Sequence, residues 1–168
     1  TNITTLILIA GKSSRFKSNK SKIFHELAGL PIIDHIYNKA KKISKNNIVF
    51  VCNKNNIDSL KNRFDNCKFA LQKNQNGTAD AVLSAKKFIK KKSNILILFG
   101  DVPLITSTSL KKLTNIFNKK KIPGLMLAFD SSEPFGYGRV ITKGKKVESV
   151  VEELNASPDI KKISLCNA

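Results

Sequence analysis

Short apolar runs recur along the chain at residues 4–10, 47–52, 68–71, 94–99 and 124–129, separated by polar or amphipathic stretches. The runs lack strict two-residue alternation, which suits strands buried on both faces of a largely parallel sheet. Between the first two, Ile33, Ile36, Tyr37, Ala40 and Ile43 fall at three- and four-residue spacing and so share one face of a helix. Pro31 stands where a first helical turn tolerates it. Residues 56–64, 78–89 and 107–117 read as further helices, the last with Ser107 or Thr108 as its N-cap. Strand and helix alternate, and the pattern predicts an α/β fold: a Rossmann-like, three-layer arrangement with a mostly parallel sheet and helices on both faces. After Pro134 the character changes. Gly136, Gly138 and Gly144 punctuate short stretches, and residues 139–142 and 145–151 read as a β-hairpin appended over one end of the sheet.

Composition adds three constraints. With 168 residues and 41% hydrophobic content, the chain fits one domain over residues 1–168, with a core that folds without disulfides or structural metal. The three cysteines, Cys52, Cys67 and Cys166, are odd in number and far apart, which reads as reduced thiols in a cytoplasmic protein. No run of about 18 apolar residues is present to span a membrane, and the N-terminus lacks the layout of a signal peptide. The formal net charge of +18 would ordinarily raise nucleic-acid binding. However, 27 of the 30 basic residues are lysine, whereas base readout favours the bidentate arginine fork. Many of the lysines fall at helix ends, where they suit the negative end of the dipole. Compositional bias is the simpler account, and no specific nucleic-acid partner is expected.

In an open parallel sheet, ligands sit beyond the carboxyl ends of the strands, and four such places carry unusual residues. The first strand runs into Gly11-Lys12-Ser13-Ser14-Arg15 and on to Lys22, offering backbone N–H groups and positive charge to a phosphate. The same residues also compose an ordinary strand-to-loop turn. At Gln72–Ala79 a strand ends in amides and a glycine before a helix; amides suit a nucleobase edge, and equally a helix-capping turn. At Phe99-Gly100-Asp101-Val102-Pro103-Leu104 one carboxylate stands at a strand tip, apt for magnesium and also for a turn. The fourth place is Gly136-Tyr137-Gly138-Arg139 with Glu152 downstream, a carboxylate able to accept sugar hydroxyls. His25 and His35 have neither a nucleophile partner nor metal-ligand spacing. Neither a Gly-x-x-x-x-Gly-Lys-Ser/Thr loop nor a Gly-x-Gly-x-x-Gly fingerprint is present, which argues against P-loop kinases and dehydrogenases.

Taken in order, the four places resemble the sugar nucleotidyltransferase family, most closely the uridyltransferase part of the bacterial bifunctional N-acetylglucosamine-1-phosphate uridyltransferase/glucosamine-1-phosphate acetyltransferases. The resemblance runs from Leu8-Ile9-Ala10-Gly11 with Arg15 and Lys22, through His25 and Leu27-Ala28-Gly29, Gln72 with Gly77-Thr78-Ala79 and Gly100-Asp101-Val102-Pro103-Leu104-Ile105. It ends at Gly136-Tyr137-Gly138-Arg139-Val140 and Val151-Glu152 with Asn155-Ala156. It implies the nucleotide-diphospho-sugar transferase fold, a magnesium ion, and UTP and N-acetylglucosamine 1-phosphate as substrates. By the same resemblance Leu8, Ala10 and Gly11 hold the nucleotide, Arg15 and Lys22 contact phosphates, and Gln72 and Gly77 read uracil with Thr78 beside them. Asp101 binds the metal, and Phe99, Gly138, Glu152 and Asn167 line the sugar site. The catalytic set is Lys22, Arg15 and Asp101.

The residue types suit that chemistry. A sugar 1-phosphate oxygen is already anionic and needs no general base, so positioning and charge neutralisation suffice. The chain departs from the family pattern in three places. Ser13 replaces the second loop glycine, Ser21 replaces the proline before Lys22, and Ala168 replaces a threonine. By the resemblance it lacks the C-terminal portion of the domain and the β-helix acetyltransferase domain, and it leaves room for a homo-oligomer of a longer protein. Three alternatives stay open: another sugar 1-phosphate, CTP in place of UTP, or a truncated nucleotide-binding module without turnover.

Overall fold

The computed structural model describes residues 2–11, 21–74 and 76–167. Lys12, Ser13, Ser14, Arg15 and Ala168 lie outside the described residues, so the expectations for the phosphate loop beyond Gly11 fall there as well. The chain divides into two compact units, Thr1–Lys112 and Leu113–Ala168.

The first unit is built on a four-stranded parallel sheet. Its strands are β1 (Ile3–Leu8), β4 (Ile48–Cys52), β5 (Lys68–Leu71) and β6 (Asn94–Phe99). The order is β5-β4-β1-β6, with Leu8 in register with both Val51 and Phe99. A two-strand hairpin, β2 (Glu26–Leu27) and β3 (Leu30–Pro31), leads into α1 (Ile32–Ser44). The Pro31 ring has no N–H to lose at that helix start. α2 (Ile57–Arg63) and α3 (Thr78–Ser84) follow β4 and β5, and α4 (Ser107–Lys120) follows β6.

Alternate residues of the central strands serve two layers. Phe50 stacks on Phe64 at 4.9 Å and on Phe69 at 5.7 Å, and Tyr37 of α1 meets Phe64 at 4.5 Å. On the other face Leu6, Leu8, Val49, Val51 and Ala70 pack with Ala81 and Ala85. A buried polar pair in the first layer is closed on itself, with Ser44 Oγ donating to Thr5 Oγ1 at 2.8 Å. Each fully buried large apolar side chain contributes roughly 1.5–3 kcal/mol. Burial also pushes the Cys52 thiol up to about 12, so it packs as a small apolar group. Among the described residues no helix is long and apolar enough to cross a membrane.

Three expectations need correction. β6 is not buried on both faces: Ile95 and Ile97 are exposed while Leu96 and Leu98 are buried. The stretch 78–89 is not one helix, since α3 gives way to a tighter turn at Lys86–Phe88, which brings Phe88 and Ile89 onto the core. The N-cap of α4 is neither Ser107 nor Thr108: Thr106 Oγ1 accepts the Ser109 N–H at 3.0 Å.

The second unit is an antiparallel sheet of β7 (Ala128–Asp130), β8 (Arg139–Lys143), β9 (Lys146–Val151) and β10 (Leu165–Asn167), in the order β7-β10-β8-β9. The expected hairpin is β8–β9, paired from Arg139↔Val151 to Lys143↔Lys146. The expected strand 124–129 is shorter, begins at Ala128, and pairs antiparallel with β10 rather than joining the parallel sheet. A short α5 (Pro158–Lys161) precedes β10, capped by Ser157.

Candidate active site

In the first unit, the carboxyl ends of β1, β4, β5 and β6 gather the candidate residues. Lys22 opens a single 3-10 turn, Lys22–Phe24, anchored by buried Ile23. Its ammonium lies 3.3 Å from Asp101 Oδ2, with the two side chains 40% and 50% exposed. An ion pair this open to water contributes about 0–1 kcal/mol to stability, so folding gives little reason to bring the two charges together. A phosphate-bearing ligand would give one.

One helix anchors the segments that follow each member of this pair. The Ile32 N–H donates to the His25 carbonyl at 2.9 Å, and His35 Nε2 donates to the Leu27 carbonyl at 2.7 Å. Both bonds tie the segment after Lys22 to α1. One turn further along α1, Lys39 Nζ donates to the Pro103 carbonyl and holds the loop after Asp101. Burial, with the charge of Lys42 behind it, lowers the Lys39 pKa. These contacts were not legible beforehand, because the backbone carbonyls they use leave no signature in sequence.

Asp101 owes its place to Gly100. A Cβ at Gly100 would stand 2.0 Å from Ile9 Cγ2, and the Gly100 N–H donates to the Leu8 carbonyl at 3.0 Å. Ile9 is buried and β-branched, with little rotamer freedom to yield. Gly100→Ala is therefore expected to destabilise the protein by about 1–3 kcal/mol through overpacking, read as a lowered urea midpoint with unchanged slope.

Two asparagines that sequence reasoning missed finish the end of β1. Asn56 Nδ2 donates to the Ile9 carbonyl at 2.8 Å and Asn53 Nδ2 to the Ala10 carbonyl at 3.3 Å. Asn56 Oδ1 in turn accepts the Asn53 N–H. They satisfy carbonyls where the strand stops pairing, just before the exposed bend at Gly11. The signal was the asparagine-rich stretch after β4, of which only Asn56 was read, as the start of a helix.

Gln72 follows β5 and is buried. Its Nε2 donates to Asp80 Oδ2 at 2.7 Å and to the Gly77 carbonyl at 3.2 Å. Gly77 has φ +92°, a region that glycine enters without strain. Thr78 is exposed at the start of α3. Phe99, half-buried, packs on the cluster that includes Leu8 and Ala10.

As for magnesium, the donor set at Asp101 fits it. Magnesium takes one or two carboxylates together with substrate phosphates and keeps several waters, and Asp101 is a half-exposed carboxylate beside a cation. A group of three or more His, Cys, Asp or Glu side chains is not assembled among the described residues.

In the second unit, Gly138 and Asn167 come together. The Asn167 N–H donates to the Gly138 carbonyl at 3.0 Å, and a Cβ at Gly138 would lie 2.9 Å from Asn167 Oδ1. Glu152 is exposed. Its neighbour Glu153 has the structural task, lying 2.8 Å from the guanidinium of buried Arg139. It also accepts the Gly136 N–H. Arg139 further donates to the carbonyls of Tyr137 and Lys161. Burial alone would raise the Glu153 carboxyl; the Arg139 and Gly136 hydrogen bonds and the charges of Arg139 and Lys161 outweigh it and hold the group below the ordinary 4.5. A depressed carboxylate contributes stability above its unfolded value and loses it as pH falls through the folded one. Glu153→Gln is expected to be less stable than the parent above pH 5, with the gap closing below the ordinary carboxylate range, as denaturant midpoints across pH will show.

Residues 5–159 match the family profile of the MobA-like NTP transferase domain. The bifunctional protein GlmU of Buchnera aphidicola subsp. Schizaphis graminum is 37% identical over 163 residues, covering 96% of this chain and 35% of that protein. The GlmU of Campylobacter fetus subsp. fetus is 39% identical over 172 residues, covering 99% and 38%. The chain thus spans little more than a third of the length of these relatives. A UDP-glucose pyrophosphorylase crystallised with UDP-glucose superposes with a TM-score of 0.73 at 15% identity, over 99% of this chain and 74% of that one, a likeness of fold.

Proposed function

Because the chain belongs to the MobA-like NTP transferase family, we propose that it transfers a uridylyl group from UTP to N-acetylglucosamine 1-phosphate. The products are UDP-N-acetylglucosamine and pyrophosphate. The observation that carries this reading is the solvent-open Lys22–Asp101 pair across the carboxyl ends of β1 and β6, two charges that stability does not require. An anionic oxygen of the sugar phosphate attacks the α-phosphorus. A new P–O bond forms, the bond to the bridging oxygen breaks, and pyrophosphate leaves with the electron pair without any proton transfer. Lys22 turns its ammonium to the α-phosphate and stabilises the charge that builds there.

Magnesium held by Asp101 with the triphosphate would neutralise phosphate charge. Arg15 is assigned the leaving pyrophosphate. Leu8, Ala10, Gly11 and Thr78 border the nucleotide, Gln72 and Gly77 face its base, and Phe99, Gly138, Glu152 and Asn167 are assigned to the sugar. The 37–39% identity to GlmU proteins supports the choice of sugar and base. The reading puts the reaction in the cytoplasm, where nucleoside triphosphates are made.

The test is pyrophosphate release with N-acetylglucosamine 1-phosphate and each of the four NTPs in magnesium. Release with UTP alone is expected. Release with CTP instead would move the reading to another base, and binding of UTP without release would reduce the chain to a nucleotide-binding module.

A further inference from the structure

We propose that Asp80 sets the sense of the Gln72 carboxamide and so makes the base subsite accept a donor, selecting a pyrimidine with an N3–H over cytosine. The inference rests on the assignment of Gln72 to the base. Its physical ground is the pair of hydrogen bonds from Nε2, 2.7 Å to Asp80 Oδ2 and 3.2 Å to the Gly77 carbonyl. A carboxylate and a carbonyl can only accept, so both amide hydrogens are committed to them, and the flipped amide would set Oε1 against two acceptors. Whatever Gln72 offers a base, it offers through Oε1.

The arrangement is held from three directions. The Gln72 N–H donates to the Cys52 carbonyl at 2.8 Å, and the Gly77 carbonyl also takes the Ala81 N–H at 3.2 Å. Gln72 itself is 5% exposed, with little room for another rotamer. Asp80 sits in the first turn of α3, so the start of one helix dictates the polarity of a side chain at the end of a strand. Uracil and thymine present N3–H to an acceptor. Cytosine presents a lone pair at N3, and against Oε1 it would leave two acceptors facing each other in a buried place, which costs affinity.

The test is calorimetric titration of the protein with UTP and with CTP, both as magnesium complexes, for the parent, Asp80→Asn and Asp80→Lys. Asparagine keeps the shape but can offer either a donor or an acceptor, and lysine offers only donors. The parent is expected to favour UTP by about tenfold or more, the discrimination that one mispaired buried hydrogen bond supports. Asp80→Asn should shrink that ratio several-fold, and Asp80→Lys should bring it to unity or reverse it. A loss of packing alone would weaken both nucleotides in step and leave the ratio standing. A parent that prefers UTP, with both variants keeping its ratio, overturns the role of Asp80 and leaves the proposed function intact. A parent that binds neither nucleotide overturns both.

Discussion

Replacing Lys22 with alanine is expected to cut turnover about 10²–10³-fold, the loss seen when one charge-stabilising donor leaves a transition state. KM for UTP should move little, because the interaction strengthens as charge builds on the α-phosphate and not before. Stability should change by less than about 1 kcal/mol, since the partner it loses, Asp101, is half-exposed and regains water. The measurement is steady-state pyrophosphate release beside a urea titration. An effect confined to KM would remove Lys22 from the reacting phosphate.

Asp101→Asn should have an effect of similar size by a different route. The substitution keeps the shape and takes away the charge that suits magnesium. Turnover is expected to fall about 100-fold or more, with the magnesium concentration needed for half-activity raised, while the urea midpoint stays near that of the parent. Unchanged activity would place the metal elsewhere. The double variant separates the two roles. If Lys22 and Asp101 act on different atoms of the substrate, their losses add on a free-energy scale; if each matters only as the other's counter-ion, the second replacement costs nothing more.

Much of the first unit was legible because its strands are apolar runs bounded by polar turns. The ranges 68–71 and 94–99 agree with β5 and β6 to the residue. Periodicity could not tell which sheet a strand joins. Residues 124–127 carry the same apolar character as β6, yet Leu125 and Met126 are exposed, and only Ala128–Asp130 finds a partner, in β10. That pairing depends on a segment some 35 residues further on, beyond any local window.

The site shows the same division. Lys22, Gln72 and Asp101 stood out because charged or amide groups after strand ends are unusual, and Gly77 as a glycine just before a helix. Asn53, Asn56, Lys39 and Asp80 did not, since each acts on a carbonyl or an amide brought near by the fold. Glu152 and Glu153 could not be told apart by composition. The structure gives Glu153 to the buried Arg139, leaving Glu152 the one exposed to solvent.

The anchoring of both charged segments on α1 has a mechanical consequence. The rod that bonds to the His25 and Leu27 carbonyls at one end bonds to the Pro103 carbonyl a turn later. Tilting or sliding of that rod pulls on the segment after Lys22 and on the loop after Asp101 at once, while Asp101 itself stays tied to the sheet through the Gly100 N–H and the Leu8 carbonyl. Loss of the Lys39 bond to the Pro103 carbonyl would release the loop after Asp101 from the rod and leave the segment after Lys22 still tied to it.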